Sequence, residues 1–207
     1  FSDRGALGLE VYHQWRTDVL EQMILPSGNE ALGNAGDATV KGLKLSANLP
    51  LDPFIDEGLL TVKADVLNSS FDDPLTGRSR ALTKLDSPQV ELDFRQDLLK
   101  SRISWGIGYQ LYQESEEYFV NEYNHFRTQG RWNAFIESNR FGDLFGGLVD
   151  GLFDGVKVRL AAKNLGDEQQ SRNRRVYANG RNGQLLWRQS SERNRGPVVS
   201  LTFSGSL

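Results

Sequence analysis

The 207-residue sequence contains no cysteine. Disulfide frameworks, thiolate metal sites and cysteine nucleophiles are excluded together. Histidine is scarce, with only His13 and His125, and no spacing ties either one to a nucleophile or carboxylate in the way a catalytic site requires. No H-E-x-x-H, P-loop, nucleophile-elbow or EF-hand pattern is present. The expectation is a non-enzyme that needs no cofactor. An excess of charge of one sign is also lacking. Lys+Arg total 24 and Asp+Glu 27, a net charge of −3, which leaves no basic field to attract nucleic acid. Long hydrophobic runs are missing too, and no window approaches the ~18 apolar residues of a membrane helix. That last absence does not exclude a membrane, because alternate residues of a membrane β-barrel face a polar lumen.

What is present is a period of two, the mark of strands with two unlike faces. Leu7, Leu9 and Val11 alternate with Gly8, Glu10 and Tyr12. Leu43, Leu45, Ala47 and Leu49 alternate with Lys44, Ser46 and Asn48, and Leu60, Val62, Ala64 and Val66 with Thr61, Lys63 and Asp65. The pattern returns at Val90–Phe94, Ile103–Leu111, Trp132–Ile136, Val156–Leu160 and Val199–Phe203. About eight strands of roughly ten residues follow, longer than the five or six usual in globular sheets and close to the 9–11 of a tilted membrane strand.

The connections alternate in length. Residues 26–37, 68–87, 114–127 and 166–195 read as long polar loops, and 50–57, 97–101 and 141–154 as shorter turns. Short periplasmic turns against long extracellular loops are the habit of outer-membrane barrels. The expected fold is therefore all-β, an antiparallel transmembrane β-barrel segment of about eight long strands. Residues 141–154 carry Phe and Leu at helical spacing, as in a short interfacial helix, but four glycines favour a turn.

Trp15, Trp105, Tyr109 and Trp132 are candidates for the aromatic girdle of such a barrel. Arg172, Arg174, Arg175, Arg181 and Arg188 crowd the last long connection, where guanidinium forks suit lipopolysaccharide phosphates or an anionic substrate; a solvated hairpin over 172–192 is the alternative. Asp72-Asp73 and Glu114-Ser115-Glu116-Glu117 offer hard oxygen ligands for calcium, against plain solvated loop charge.

Three segments resemble, in order, the C-terminal part of TonB-dependent outer-membrane receptors. Residues 34–51 are similar to the family's N-A-x-x-A-x-x-x-G-x-E-L strand, with Lys44 where the family has Glu. Lys163-Asn164-Leu165-Gly166-Asp167 resembles the N-L-[FGT]-D end of the penultimate strand. Residues 195–207 resemble the closing strand, although the chain ends in Leu207, with Phe203 four residues back, rather than in Phe or Trp. The resemblance implies a bacterial outer-membrane location, uptake of a scarce nutrient, and a parent barrel of 22 strands around an N-terminal plug. It places 1–207 as the C-terminal barrel part, with plug and earlier strands outside this chain. The implied partners are outer-membrane lipid and lipopolysaccharide, the remaining strands and plug of the same receptor, and TonB through the N-terminal region. The alternatives are a self-contained small outer-membrane barrel, adhesive or structural, and a soluble all-β binding module.

Overall fold

A computed structural model describes residues 5–27, 29–138 and 156–205. These residues form an all-β fold, and every strand pair among them is antiparallel. In order, the strands are β1 (Ala6–Arg16), β2 (Leu20–Ile24), β3 (Glu30–Asn34), β4 (Ala38–Pro50), β5 (Gly58–Asp73), β6 (Arg78–Arg80) and β7 (Ser87–Leu98). There follow β8 (Ile103–Tyr118), β9 (Glu122–Thr128), β10 (Arg131–Ser138), β11 (Lys157–Lys163), β12 (Gln169–Tyr177), β13 (Leu185–Asn194) and β14 (Val198–Ser204). The segment 141–154, read above as turn or interfacial helix, lies outside the described residues.

One sheet runs β1-β4-β5-β7-β8-β10-β11-β14, so neighbours along this path follow one another in chain order. β9, β12 and β13 extend the same sheet at one end, and β2–β3 forms a separate hairpin. Among the described residues β1 and β14 do not pair with each other, so the sheet has two free edges. β5 and β8 have 16 residues each. At roughly 3.4 Å per residue such a strand is about 54 Å long, well beyond an ordinary globular strand.

Two ends can be told apart. Short turns join β4 to β5 and β7 to β8 at one end; the first is closed by Leu51 N–H to Gly58 O at 2.7 Å. At the opposite end four hairpins rise: β2–β3, β5–β6, β8–β9 and β12–β13. Two of the expected long loops are corrected here. Residues 114–127 are mostly the paired ends of β8 and β9, and 166–195 is mostly the β12–β13 hairpin. The loop at 26–37 contains β3, and that at 68–87 contains the end of β5 and all of β6.

Three strand passes break at the same level of the sheet. β9 gives way to β10 at Gln129-Gly130, β11 to β12 at 164–168, and β13 to β14 at 195–197. The Asn-Leu-Gly-Asp run sits in this line of breaks. Asn164 adopts a left-handed backbone (φ 59°) that Asn tolerates better than most residues. Its side chain donates to Gly196 O at 2.8 Å and accepts from Glu168 N–H at 2.7 Å. Asp167 accepts from Gly196 N–H at 3.0 Å. The motif therefore ties two adjacent strand breaks together, where irregular backbone would otherwise leave polar groups unpaired.

The small buried core lies at the hairpin end. Ala38, Val40, Phe71 and Leu82 cluster there, with Tyr12, Val19, Ala35 and Leu85 packed against them.

Candidate functional site

Strand parity sorts the side chains onto two faces. On one face Val11 stands beside Leu43 and Leu43 beside Val66. Val62 stands beside Leu92, Leu92 beside Tyr109 and Tyr109 beside Trp132. Ala134 faces Ala162, and Ala162 faces Val199. The band crosses all eight neighbours of the long path, and no charged residue occupies these positions. Nothing covers it among the described residues: Leu9 is 68% exposed, Ile107 41%, Leu160 45% and Leu201 58%. A contiguous apolar surface on this scale marks a site of contact with membrane or protein.

Trp15, Trp105, Tyr109 and Trp132 all lie on this face, the four aromatics expected to form a girdle. Trp105 donates its indole N–H to Gln96 Oε1 at 3.0 Å, and Tyr109 meets Trp132 at 4.8 Å between ring centroids. Trp15 stacks on His13 at 4.1 Å.

The opposite face is polar and carries ion pairs. Glu137 is nearly fully buried and is contacted by Arg95 (2.9 Å), Lys157 (3.0 Å) and Arg159 (2.9 Å). Phe135 lies over Gly106 with the Arg159 guanidinium 3.9 Å from its ring centre. His125, also on this face, approaches Glu114 at 3.5 Å.

The arginine cluster of the last connection divides between the two faces of the sheet. Arg172 and Arg174 point to the same side as the apolar band, beyond its end, and both pair with Glu122. Burial pushes the Glu122 carboxyl up, but hydrogen bonds from Arg174 and Asn124 and the charges of Arg174 and Arg172 hold it below the usual range. Arg175 and Arg188 face each other on the polar side. Arg181, in the β12–β13 turn, reaches Asp73 at 2.7 Å and donates to Phe119 O at 2.7 Å.

Asp73 belongs to a buried ionic cluster that the sequence did not disclose. Arg80 bridges Glu21 at 3.0 Å and Asp73 at 3.4 Å while its guanidinium lies 4.2 Å from the Tyr118 ring centre. Glu21 also accepts from Thr83 N–H at 2.9 Å and from the Thr83 hydroxyl at 2.8 Å. Burial raises the Asp73 carboxyl, and the Thr76 hydrogen bond with the Arg181 and Arg80 charges outweighs it, so the carboxyl stays ionised below its ordinary range. Tyr118 and Tyr123 both donate to Glu116, at 2.6 and 2.5 Å. Burial and this shared carboxylate push both phenols well up. The four hairpins are thereby linked: Glu21 comes from β2, Asp73 and Arg80 from β5–β6, Tyr118 and Tyr123 from β8–β9, and Arg181 from the β12–β13 turn.

The calcium reading finds no geometry here. Asp73 is engaged by arginines and Glu116 by phenols, and no group of three or more His, Asp or Glu placed to hold a metal ion occurs among the described residues.

Between the hairpins lies a cavity of about 380 Å³ lined by Arg78, Arg80, Arg175 and Arg181, by Tyr118, Tyr123 and Tyr177, and by Thr76, Ser79 and Asn182. No carboxylate is among these lining residues.

No family profile matches the chain, and no curated protein or solved structure matches it either.

Proposed function

We propose that this chain forms part of the wall of a bacterial outer-membrane β-barrel, of the TonB-dependent receptor kind, that takes up a scarce nutrient. The reading rests on one observation above all: an apolar band, bordered at one end by Lys41, spans eight consecutive antiparallel neighbours and is left uncovered, while the other face carries ion pairs such as Glu137 with Arg95 and Arg159. Lipid satisfies such a face, and a paired polar face suits a wet lumen. In this reading each broken pair, β9/β10, β11/β12 and β13/β14, is one long pass through and beyond the membrane. The short turns are periplasmic and the four hairpins extracellular.

The chain supplies barrel wall, lumen lining and outer hairpins. The free edges of β1 and β14 take the remaining strands of the same receptor, because unpaired backbone is not viable in lipid. The plug and the TonB contact belong to the N-terminal region of that receptor. Arg172 and Arg174, beyond the outward band and paired with Glu122, are the proposed contacts for lipopolysaccharide phosphates. The choice of this family over other barrels rests on the sequence resemblance alone.

A second reading, a closed small barrel, is favoured by the count of eight long passes, since eight strands are enough for closure. Refolding followed by light scattering and circular dichroism, with and without detergent micelles, tests the membrane reading. Folding in micelles only is expected. A folded monomer in plain buffer overturns it and leaves a soluble all-β module.

A further inference from the structure

The cavity between the hairpins joins part of the buried ionic cluster to two arginines outside it. Arg80 and Arg181 are committed to Glu21 and Asp73. Arg78 and Arg175 make no ion pair among the described residues, although both line the same space. Arg175 does lie over the Tyr123 ring, at 5.5 Å from its centre. A pocket with four guanidinium groups and no lining carboxylate keeps a positive potential that its buried counter-ions offset only in part. Its phenol rings are held rigid, since Tyr118 and Tyr123 are pinned to Glu116 by their hydroxyls. Rigid aromatic faces offer stacking surface at little entropic cost. Guanidinium forks bind carboxylates in bidentate fashion. A volume of about 380 Å³ falls in the usual range for small-molecule sites.

We propose that this cavity binds a small polycarboxylate carrying an aromatic or other flat body, with Arg78 and Arg175 gripping carboxylates and Tyr118, Tyr123 and Tyr177 packing on the body. Taken as the class of solute that the barrel imports, the proposal rests on the receptor reading above. Taken as a binding site, it stands on the cavity alone. The arginines that point the other way, Arg172 and Arg174, have no part in it.

The test uses the full chain refolded in micelles and titrated calorimetrically with trimesate (benzene-1,3,5-tricarboxylate) and, separately, with its uncharged trimethyl ester. Trimesate is expected to bind, and more weakly at 0.5 M than at 0.05 M salt, as charge contacts require. The ester is expected to give no heat. The double variant Arg78→Gln/Arg175→Gln is expected to weaken trimesate at least tenfold with unchanged circular dichroism, because neither arginine carries a structural ion pair. The variant Arg172→Gln/Arg174→Gln is expected to bind as the parent does. No trimesate binding at millimolar concentration, equal binding of the ester, or unchanged affinity in the first double variant overturns the proposal. The two readings fail separately: absent binding in a protein that folds only in micelles removes the site and leaves the barrel, and binding by a folded detergent-free monomer removes the barrel and leaves the site.

Discussion

Replacing Arg80 by alanine isolates the ionic cluster that holds the hairpins. The Arg80 side chain is only 7% exposed, and its partners Glu21 and Asp73 are 3% and 1% exposed. Removing one member of a buried pair costs about 3–5 kcal/mol, since the surviving charge stays desolvated. The lower end applies here, because Asp73 keeps Arg181 and Glu21 keeps two hydrogen bonds from Thr83. The Tyr118 and Phe71 ring contacts of the guanidinium are lost as well. The expected loss is about 3 kcal/mol, or roughly a hundredfold in a local opening equilibrium. The long strands do not depend on this cluster, so the loss is expected as local opening of the hairpins rather than global unfolding. Hydrogen exchange at the Thr83 amide, which donates directly to Glu21, reads that opening. Arg78→Ala, in the same short strand but without an ion pair, is the control and is expected to stay within about 0.5 kcal/mol. Glu21→Gln combined with Arg80→Met is expected to recover much of the loss, because no bare charge remains at the Glu21 position. Thr83 protection within threefold of the parent in Arg80→Ala would refute the cluster as the hairpin latch.

Three further outcomes follow from the same geometry. Lysine at Ile107, mid-band on the apolar face, is expected to cost about 2–4 kcal/mol in lipid, and lysine at Thr202, on the polar face, under about 1 kcal/mol, as measured by urea unfolding in bilayers. The raised phenols of Tyr118 and Tyr123 contribute stability that is full below the ordinary tyrosine range and is lost as pH climbs through their folded values. Absorbance at 295 nm in an alkaline titration is therefore expected to show a delayed fraction that disappears in Tyr118→Phe/Tyr123→Phe, and an undelayed titration in the parent contradicts the shared Glu116 bond. At Gly42 a Cβ would enter the Tyr12 ring, so Gly42→Val is expected to cost about 1–3 kcal/mol by thermal or urea unfolding, with Tyr12→Ala relieving it.

Parity made the long strands legible in the sequence. Leu60, Val62, Ala64 and Val66 against Thr61, Lys63 and Asp65 can be read as two faces without any structure. The upper strands were missed for the same reason inverted. In Glu114-Ser115-Glu116-Glu117 and Arg172-Asn173-Arg174-Arg175 both faces are polar, so period two has no contrast to show. The splitting of the arginines was available in principle, because adjacent strand residues point to opposite sides, and Arg174 and Arg175 are adjacent. It required knowing that the segment is strand. The cluster of Glu21, Asp73, Arg80 and Arg181 had no local signal, since only the folding together of three hairpins brings these residues into contact. The Asn-Leu-Gly-Asp run could be recognised as a motif, yet its task, bonding to Gly196 across two strand breaks, is visible only with the strands paired.

Spin labels walked along β5 from Leu60 to Val66 in lipid vesicles test the central claim most directly. Labels at Leu60, Val62, Ala64 and Val66 are predicted to be accessible to dissolved oxygen and shielded from a water-soluble nickel chelate, with the reverse at Thr61, Lys63 and Asp65. Equal nickel accessibility at both sets of positions would contradict a lipid-facing wall.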